Sequence, residues 1–369
     1  MLELDGGDAG GGFVRSALGF AVLENRPIRI ENVRGGRPTP GLRPQHLGVL
    51  EVFSKICRAD VTGTSVGAET ITFEPDVPDG IPGGQYRVDI PTAGSVTLVV
   101  NALLPLATRL ESGLSVTVTG GTDVKWSPPA DYLQDVTLSA LRDHGLYAAL
   151  EVERRGFYPA GGGSVTLHLG PSDVRPFDLG APGDVSGVHV TSTESASLAD
   201  RDVASRQLDA AVDHLEREWE SLAIRSKTVR TVETDSPGSA IVCRLDVNGG
   251  WAAASALGER GTPAERVGER AAAPIREIVG SGAPVDRFLA DQLLVVLARA
   301  GGTVRVPAVT DHVESGLSLA STFGYDLAVE RPDPVDGDSD RPADDEQDTG
   351  ERIIHSPTEG DDRCNTGDV

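Results

Sequence analysis

The stretch Leu4-Asp-Gly-Gly-Asp-Ala-Gly-Gly-Gly-Phe-Val-Arg-Ser-Ala-Leu-Gly19 carries the chain from a strand through a glycine-rich turn into a helix. Working outward, periodicity gives a strand over 2–4, a helix over 12–23, a strand over 28–33, a helix over 46–58, and strands over 61–66 and 70–73. The same order returns as a strand over 86–90, a helix over 94–110, a strand over 115–119, a helix over 131–144, and strands over 148–154 and 163–169. A third, incomplete copy begins near Phe288 with a helix to 300, a strand over 303–306, a helix over 314–323 and a strand over 325–330. Three repeated α/β units predict a pseudo-threefold α/β main domain built from residues 1–180 and 285–331.

Residues 181–284 break this pattern and are expected to form a small inserted α/β domain. A strand over 188–191, a helix over 202–220, strands over 224–232 and 239–247 and a helix over 263–279 fit its periodicity. The first of these helices sets Ala211, His214 and Leu215 against acidic residues on its other face, which is the pattern of one packed and one wet side. Beyond Arg331 almost nothing apolar is left to bury, so residues 332–369 are expected to be a disordered acidic tail.

The 369 residues suffice for two or three domains. No run approaches the ~18 apolar residues of a membrane span, and the first residues lack a basic start and an apolar signal core; a cytoplasmic protein is expected. Cys57, Cys243 and Cys364 are odd in number and far apart, which argues against disulfides and zinc and leaves Cys57 and Cys243 as core residues. The formal charge of −23 would ordinarily oppose a polyanionic partner. Yet only Lys55, Lys125 and Lys227 are lysines among 33 basic residues. That bias is expected of a halophile whose cytoplasm is concentrated in salt, where the Debye length falls to ~3 Å at ~1 M and dense carboxylates repel little. Charge therefore does not exclude RNA, and local arginine clusters become decisive.

Two such clusters bear on chemistry. Backbone N–H groups at the glycine turn can cradle an anion at a helix start, although the spacing is neither G-x-x-x-x-G-K-[ST] nor G-x-G-x-x-G, and glycines can equally serve backbone angles alone. The loop Arg34-Gly-Gly-Arg37-Pro-Thr-Pro-Gly-Leu-Arg43-Pro-Gln45-His46 sets three arginines on a proline-stiffened segment before a helix. Guanidinium forks bind phosphate in bidentate fashion; the alternative is an ion-pair network with the surplus carboxylates.

The order and register of further motifs resemble the RNA 3'-terminal phosphate cyclases over residues 1 to about 330. These are R-P-Q-H at 43–46, T-A-G-S at 92–95, G-G-T at 120–122, P-P-x-D-Y at 128–132, G-F-Y-P-A-G-G-G at 156–163 and A-D-Q at 290–292. The resemblance implies three similar α/β units with a small inserted α/β domain. It also implies an ATP-dependent, AMP-forming conversion of an RNA 3'-phosphate to a 2',3'-cyclic phosphate through a histidyl-AMP intermediate. His312 falls in the region of the family's nucleophilic histidine. By the same resemblance Phe288 stacks on adenine, and Asp291, Gln292, Asn101 and Pro128 line the nucleotide site. Arg15, Arg37, Arg43, Gln45 and His46 line the phosphate path, and Asp8 replaces a glutamate that binds Mg²⁺ or Mn²⁺.

The sequence departs from the family at several points. G-E-G-G-G-Q is here D-A-G-G-G-F, Asn101 stands for a glutamine, and Ser315-Gly316 replaces Thr-Asn. Relatives that have lost the histidine are non-catalytic ribosome-assembly factors, and His312 argues against that branch. Enolpyruvyl transferases also use repeated α/β units, but they need phosphate-binding lysines that this chain lacks.

Overall fold

A computed structural model describes residues 1–181, 183–219, 222–332 and 350–357. The first unit contains β1 (Leu2–Asp5), α1 (Gly11–Leu23), β2 (Ile28–Glu31), α2 (Pro44–Ile56), β3 (Asp60–Thr62) and β4 (Ile71–Glu74). The second contains β5 (Gly84–Asp89), α3 (Val96–Leu103), β6 (Leu114–Gly120), α4 (Ala130–Tyr132), α5 (Leu138–Asp143), β7 (Ala148–Arg154) and β8 (Gly163–Leu169). Leu133–Thr137, between α4 and α5, is a π-helical segment. The expected single helix over 94–110 is divided: Pro105 lies in a 3₁₀ turn, Leu104–Arg109, where a residue without an N–H cannot continue the α-helical ladder.

After β9 (Phe177–Leu179), in the segment expected to be an insert, come β10 (Val185–Ser195), α6 (Val203–Glu218), β11 (Ala223–Val232), β12 (Ser239–Val247), β13 (Gly250–Leu257), α7 (Ala264–Ala272) and α8 (Ile275–Ser281). Pro274 separates α7 from α8, which breaks the one helix expected over 263–279. Its sheet runs β11-β10-β12-β13. Val190, Leu208, Ala211, Leu215, Ile241, Cys243 and Val267 form a core beneath α6 and α7. The Ala-rich β13 lacks the β-branched alternation that marks a strand in sequence.

The chain then returns through α9 (Arg287–Ala300), β14 (Gly302–Val306), α10 (Asp311–Thr322), β15 (Ala328–Glu330) and β16 (Arg352–Ser356). The sheets run β1-β2-β4-β3, β5-β6-β8-β7 and, read from its other edge, β9-β14-β16-β15. In each, the first strand is parallel to the second, while the fourth is antiparallel to both the second and the third. The third set of strands is thus complete rather than incomplete, because β9 precedes the insert and β16 comes from the segment expected to be a disordered tail. Ile354 of β16 is buried, which explains the pairing: burying one such side chain contributes about 1.5–3 kcal/mol. The rest of that expected tail, from 333 to 349 and from 358 onward, lies outside the described residues, as does Cys364.

Helix α1 touches α2, α3, α9 and α10. Its second half is buried on all sides through Ala17, Leu18, Phe20, Ala21 and Val22. A helix apolar all round belongs at the centre of a core, and this placement leaves its glycine-rich N-terminus as the point where neighbouring helices can bring side chains together. Cys57 and Cys243 are buried free thiols, as expected, and burial pushes both up to about 12.

Candidate active site

Gly10, the N-cap of α1, is extended and supplies no side-chain cap, and the first turn holds no acidic residue. Phe13 N–H donates back to the Gly10 carbonyl at 3.2 Å, which leaves the Gly11 and Gly12 N–H groups to face the site with the partial positive charge of the helix dipole. A Cβ on Gly10 would lie 3.2 Å from Arg37 Nη2 and 3.2 Å from His312 Cε1. One on Gly12 would lie 3.7 Å from both Arg15 Nη2 and His312 Nδ1. The absence of side chains at these glycines is what admits the two cations and the imidazole to the backbone.

His312 is exposed and occupies the first turn of α10, whose N-cap Thr310 accepts the Val313 N–H at 3.3 Å. His46 is only 1% exposed, in the first turn of α2. Its Nδ1 accepts the Arg43 N–H at 3.0 Å, which fixes the neutral tautomer with its proton on Nε2. That Nε2 is buried, has no partner among the described residues, and is directed at Gly11, where a Cβ would stand 2.4 Å from it. Burial, reinforced by Arg15, Arg34 and Arg43, lowers His46 to about 3. It is thus a neutral donor without an acceptor, beside an uncapped helix start.

The arginines divide by role. Arg34 donates to the Thr39 and Gly41 carbonyls at 3.0 and 2.9 Å, which holds the loop closed. Arg37 is exposed, while Arg43 and Arg15 are half-buried. Arg15 donates to the Gly11 carbonyl at 3.2 Å. Burial lowers Arg15 against the opposing pull of Asp291, and burial raises Asp291 against Arg15 and His312. Asp291 is thus the carboxylate whose charge acts on both groups. Gln45 lies beside Gly94, where a Cβ would be 3.4 Å from its own Cβ, so the 92–95 motif adjoins the arginine loop.

Of the residues expected at the nucleotide site, Phe288 remains 47% exposed, with the Arg287 guanidinium 4.9 Å from its ring centre. Asn101 carries a buried Oδ1 with no partner among the described residues. It stands one turn beyond Thr97 on α3, and Thr97 donates to the Pro128 carbonyl at 2.8 Å, which places Pro128 on the same side of that helix. Gln292 is engaged at both ends, accepting from Thr137 at 2.8 Å and donating to the Phe288 carbonyl at 3.0 Å. It thereby braces the first turn of α9. Asp8 is exposed just before the glycines, and no group of three His, Cys, Asp or Glu side chains is assembled for a metal among the described residues. A single carboxylate fits an ion such as Mg²⁺, which takes most of its oxygens from phosphate and water.

Two supporting networks were not foreseen. Tyr132 donates to Asp286, with its oxygen 2.8 Å from both carboxylate oxygens. Asp286 caps α9 through the Phe288 and Leu289 N–H groups and accepts from Ala253 of β13. Buried Arg155 bridges Asp123 and Asp131, and Asp131 also accepts from Arg230 of β11. Both networks join the second unit to the insert. The D-Y of the 128–132 motif was the only signal of either.

Taken together, an uncapped glycine-rich helix start in an α/β fold is ringed by Arg15, Arg37, His46 and His312, an arrangement chemically suited to an anion. The comparisons narrow the class. Residues 7–326 match the family described as RNA 3'-terminal phosphate cyclase. A Halobacterium salinarum protein named RNA 3'-terminal phosphate cyclase is 41% identical over 341 residues, covering 90% of this chain and 98% of that one. Proteins of the same name from Methanosarcina barkeri and Pyrococcus furiosus are 41% and 37% identical, covering 88% of this chain in each case and 94% and 93% of theirs. The chain belongs to the RNA 3'-terminal phosphate cyclase family.

Proposed function

We propose that this chain is an ATP-dependent RNA 3'-terminal phosphate cyclase that works through an AMP adduct on His312. The observation that carries the reading is the position of the His312 ring against Gly10 and Gly12, with Arg37 alongside. A neutral imidazole nitrogen attacks the α-phosphorus of ATP, a P–N bond forms and pyrophosphate leaves. The RNA 3'-phosphate then displaces His312 from phosphorus, which regenerates the imidazole. Finally the neighbouring 2'-hydroxyl attacks the activated 3'-phosphorus, its proton passes to solvent, and AMP departs as the cyclic phosphate closes. Arg15, Arg37 and Arg43 with the first-turn N–H groups of α1 spread the charge at phosphorus, and the His46 Nε2–H supplies a further donor. Phe288, Pro128 and Asn101 hold the nucleotide beside Asp291. Mg²⁺ or Mn²⁺ held by Asp8 and phosphate oxygens would neutralise triphosphate charge.

The names of the relatives support cyclase activity. The three lysines against a net charge of −23, and the Halobacterium relative, support work in concentrated salt. Incubation of the protein with α-labelled ATP and a divalent ion in concentrated potassium chloride should give an acid-labile labelled adduct. Chasing that adduct with 3'-phosphorylated RNA should release AMP and leave a phosphatase-resistant cyclic end. Cyclisation without any labelled adduct would overturn the histidyl route, and no cyclisation would overturn the activity.

A further inference from the structure

Among the described residues, the two most exposed large apolar side chains are Trp126, at 94%, and Tyr158, at 74%. Trp126 is also held at φ 63°, a left-handed backbone that a bulky residue adopts only where its surroundings impose it. Those surroundings are visible on both sides. Lys125 pairs with Glu259 at 2.9 Å, Ser127 Oγ donates to the Val124 carbonyl at 3.0 Å, and the Pro128 carbonyl is held by Thr97. The indole is thus presented to solvent by a fixed loop.

Tyr158 projects from the loop over 156–163. That loop is joined to the Trp126 loop by a bridge between Asp123 and Phe157, and by hydrogen bonds of 2.9 Å linking Thr122 and Gly156 in both directions. Both loops rest on the 92–94 segment: Gly121 donates to the Gly94 carbonyl at 2.8 Å, and a Cβ on Gly161 would be 3.0 Å from the Ala93 Cα. Gly94 in turn adjoins Gln45, next to His46. The loops that carry the two exposed rings are therefore coupled, and both rest on the segment that adjoins Gln45.

We infer that Trp126 and Tyr158 form a stacking platform for the bases of a single-stranded RNA end, upstream of its terminal phosphate. This inference rests on the RNA reading proposed above. A chain of net charge −23 gains little from backbone phosphates away from its arginine cluster, whereas stacking needs no cation and accepts any base. Lys125 and Ser127 flank Trp126, and although Phe157 and Pro159 flank Tyr158, three glycines follow Ala160 and no valine, leucine or isoleucine lies within 156–163. That favours flat bases over an apolar protein face.

The test compares Trp126→Ala and Trp126→Phe on a 3'-phosphorylated hexanucleotide and on the same strand with its upstream bases removed. On the complete strand, Trp126→Ala should raise KM about tenfold and Trp126→Phe much less. On the abasic strand the three proteins should agree, and AMP adduct formation from ATP alone serves as the folding control. Equal KM for Trp126→Ala and wild type on the complete strand, or the same loss on the abasic strand, overturns the platform. If the wild type cyclises neither strand, the proposed activity falls instead. The platform is then judged by quenching of tryptophan fluorescence on adding the hexanucleotide: quenching that is lost in Trp126→Ala supports it, and quenching that is absent or unchanged overturns it.

Discussion

The α-carbon of Gly11 faces the His46 ring so closely that a Cβ there would lie 2.4 Å from Nε2. The backbone at the start of α1 and the imidazole of α2 are thus in contact through a missing side chain. Gly11→Ala must push one of them away. Overpacking of this kind costs about 1–3 kcal/mol, and the displaced donor should lower cyclisation steeply. The double variant Gly11→Ala/His46→Ala should recover most of the stability without recovering activity. Gly11→Ala with wild-type stability and rate would mean that the site is slack enough to absorb a methyl group.

Removal of residues 332–369 should destabilise the protein, because β16 is an inner strand between β14 and β15 and Ile354 is only 1% exposed. Ile354→Ala alone should cost about 2–5 kcal/mol in denaturant unfolding. Unchanged unfolding of the truncated chain would remove β16 from the folding unit.

This strand also marks where the sequence stopped being informative. The helices of the three units announce themselves through long apolar periodicities, and the arginine loop stands out in an acidic chain. Arg352-Ile-Ile-His-Ser356 offers two isoleucines among acidic residues, and its value comes from β14 and β15, whose partnership no local pattern encodes. Phe177–Leu179 is hidden in the same way, three residues separated from β14 by the whole insert. At the site, His46 and His312 could be named from their motifs. The unpartnered state of His46 Nε2 and the engagement of Gln292 by Thr137 depend on which helices meet, as does the Arg155 network.

Arg37 is exposed while its Nη2 reaches Gly10, so Arg37→Ala removes a charge from the proposed phosphate path and little packing. KM for 3'-phosphorylated RNA should rise about tenfold or more with almost no shift in Tm, and Arg37→Lys should restore it only in part, since an ammonium cannot reproduce a bidentate fork. Arg43→Ala should also raise KM. An unchanged KM in both alanine variants would make the loop a surface ion-pair network.

His46 imposes a pH dependence of definite sign. Its imidazole is held at about 3 in the folded chain, against an ordinary value of 6.5. Above pH 6.5 both states are neutral there and nothing changes. Below it the unfolded chain takes up a proton that the folded chain refuses until about pH 3, so stability falls as pH drops through that window, by up to about 1.4 kcal/mol per unit. His46→Gln should remove about one proton from the slope of unfolding free energy between pH 6 and 4. An identical slope in the variant would mean that the buried ring protonates in place.

The nucleophile can be separated from every other role by splitting the reaction. His312 is the histidine whose ring faces Gly10 and Gly12 while remaining exposed, whereas His46 is enclosed and its Nδ1 is already engaged by Arg43. His312→Ala should abolish the labelled AMP adduct. It should still close RNA supplied with AMP already on its 3'-phosphate, because that step uses the 2'-oxygen, the arginines and the α1 N–H groups and needs no imidazole nucleophile. His46→Ala should slow both halves yet still form the adduct, as expected of a donor to phosphate. An acid-labile AMP adduct on His312→Ala would move the nucleophile elsewhere. Failure of that variant to close the pre-activated RNA, with its unfolding unchanged, would mean that His312 also serves the final step.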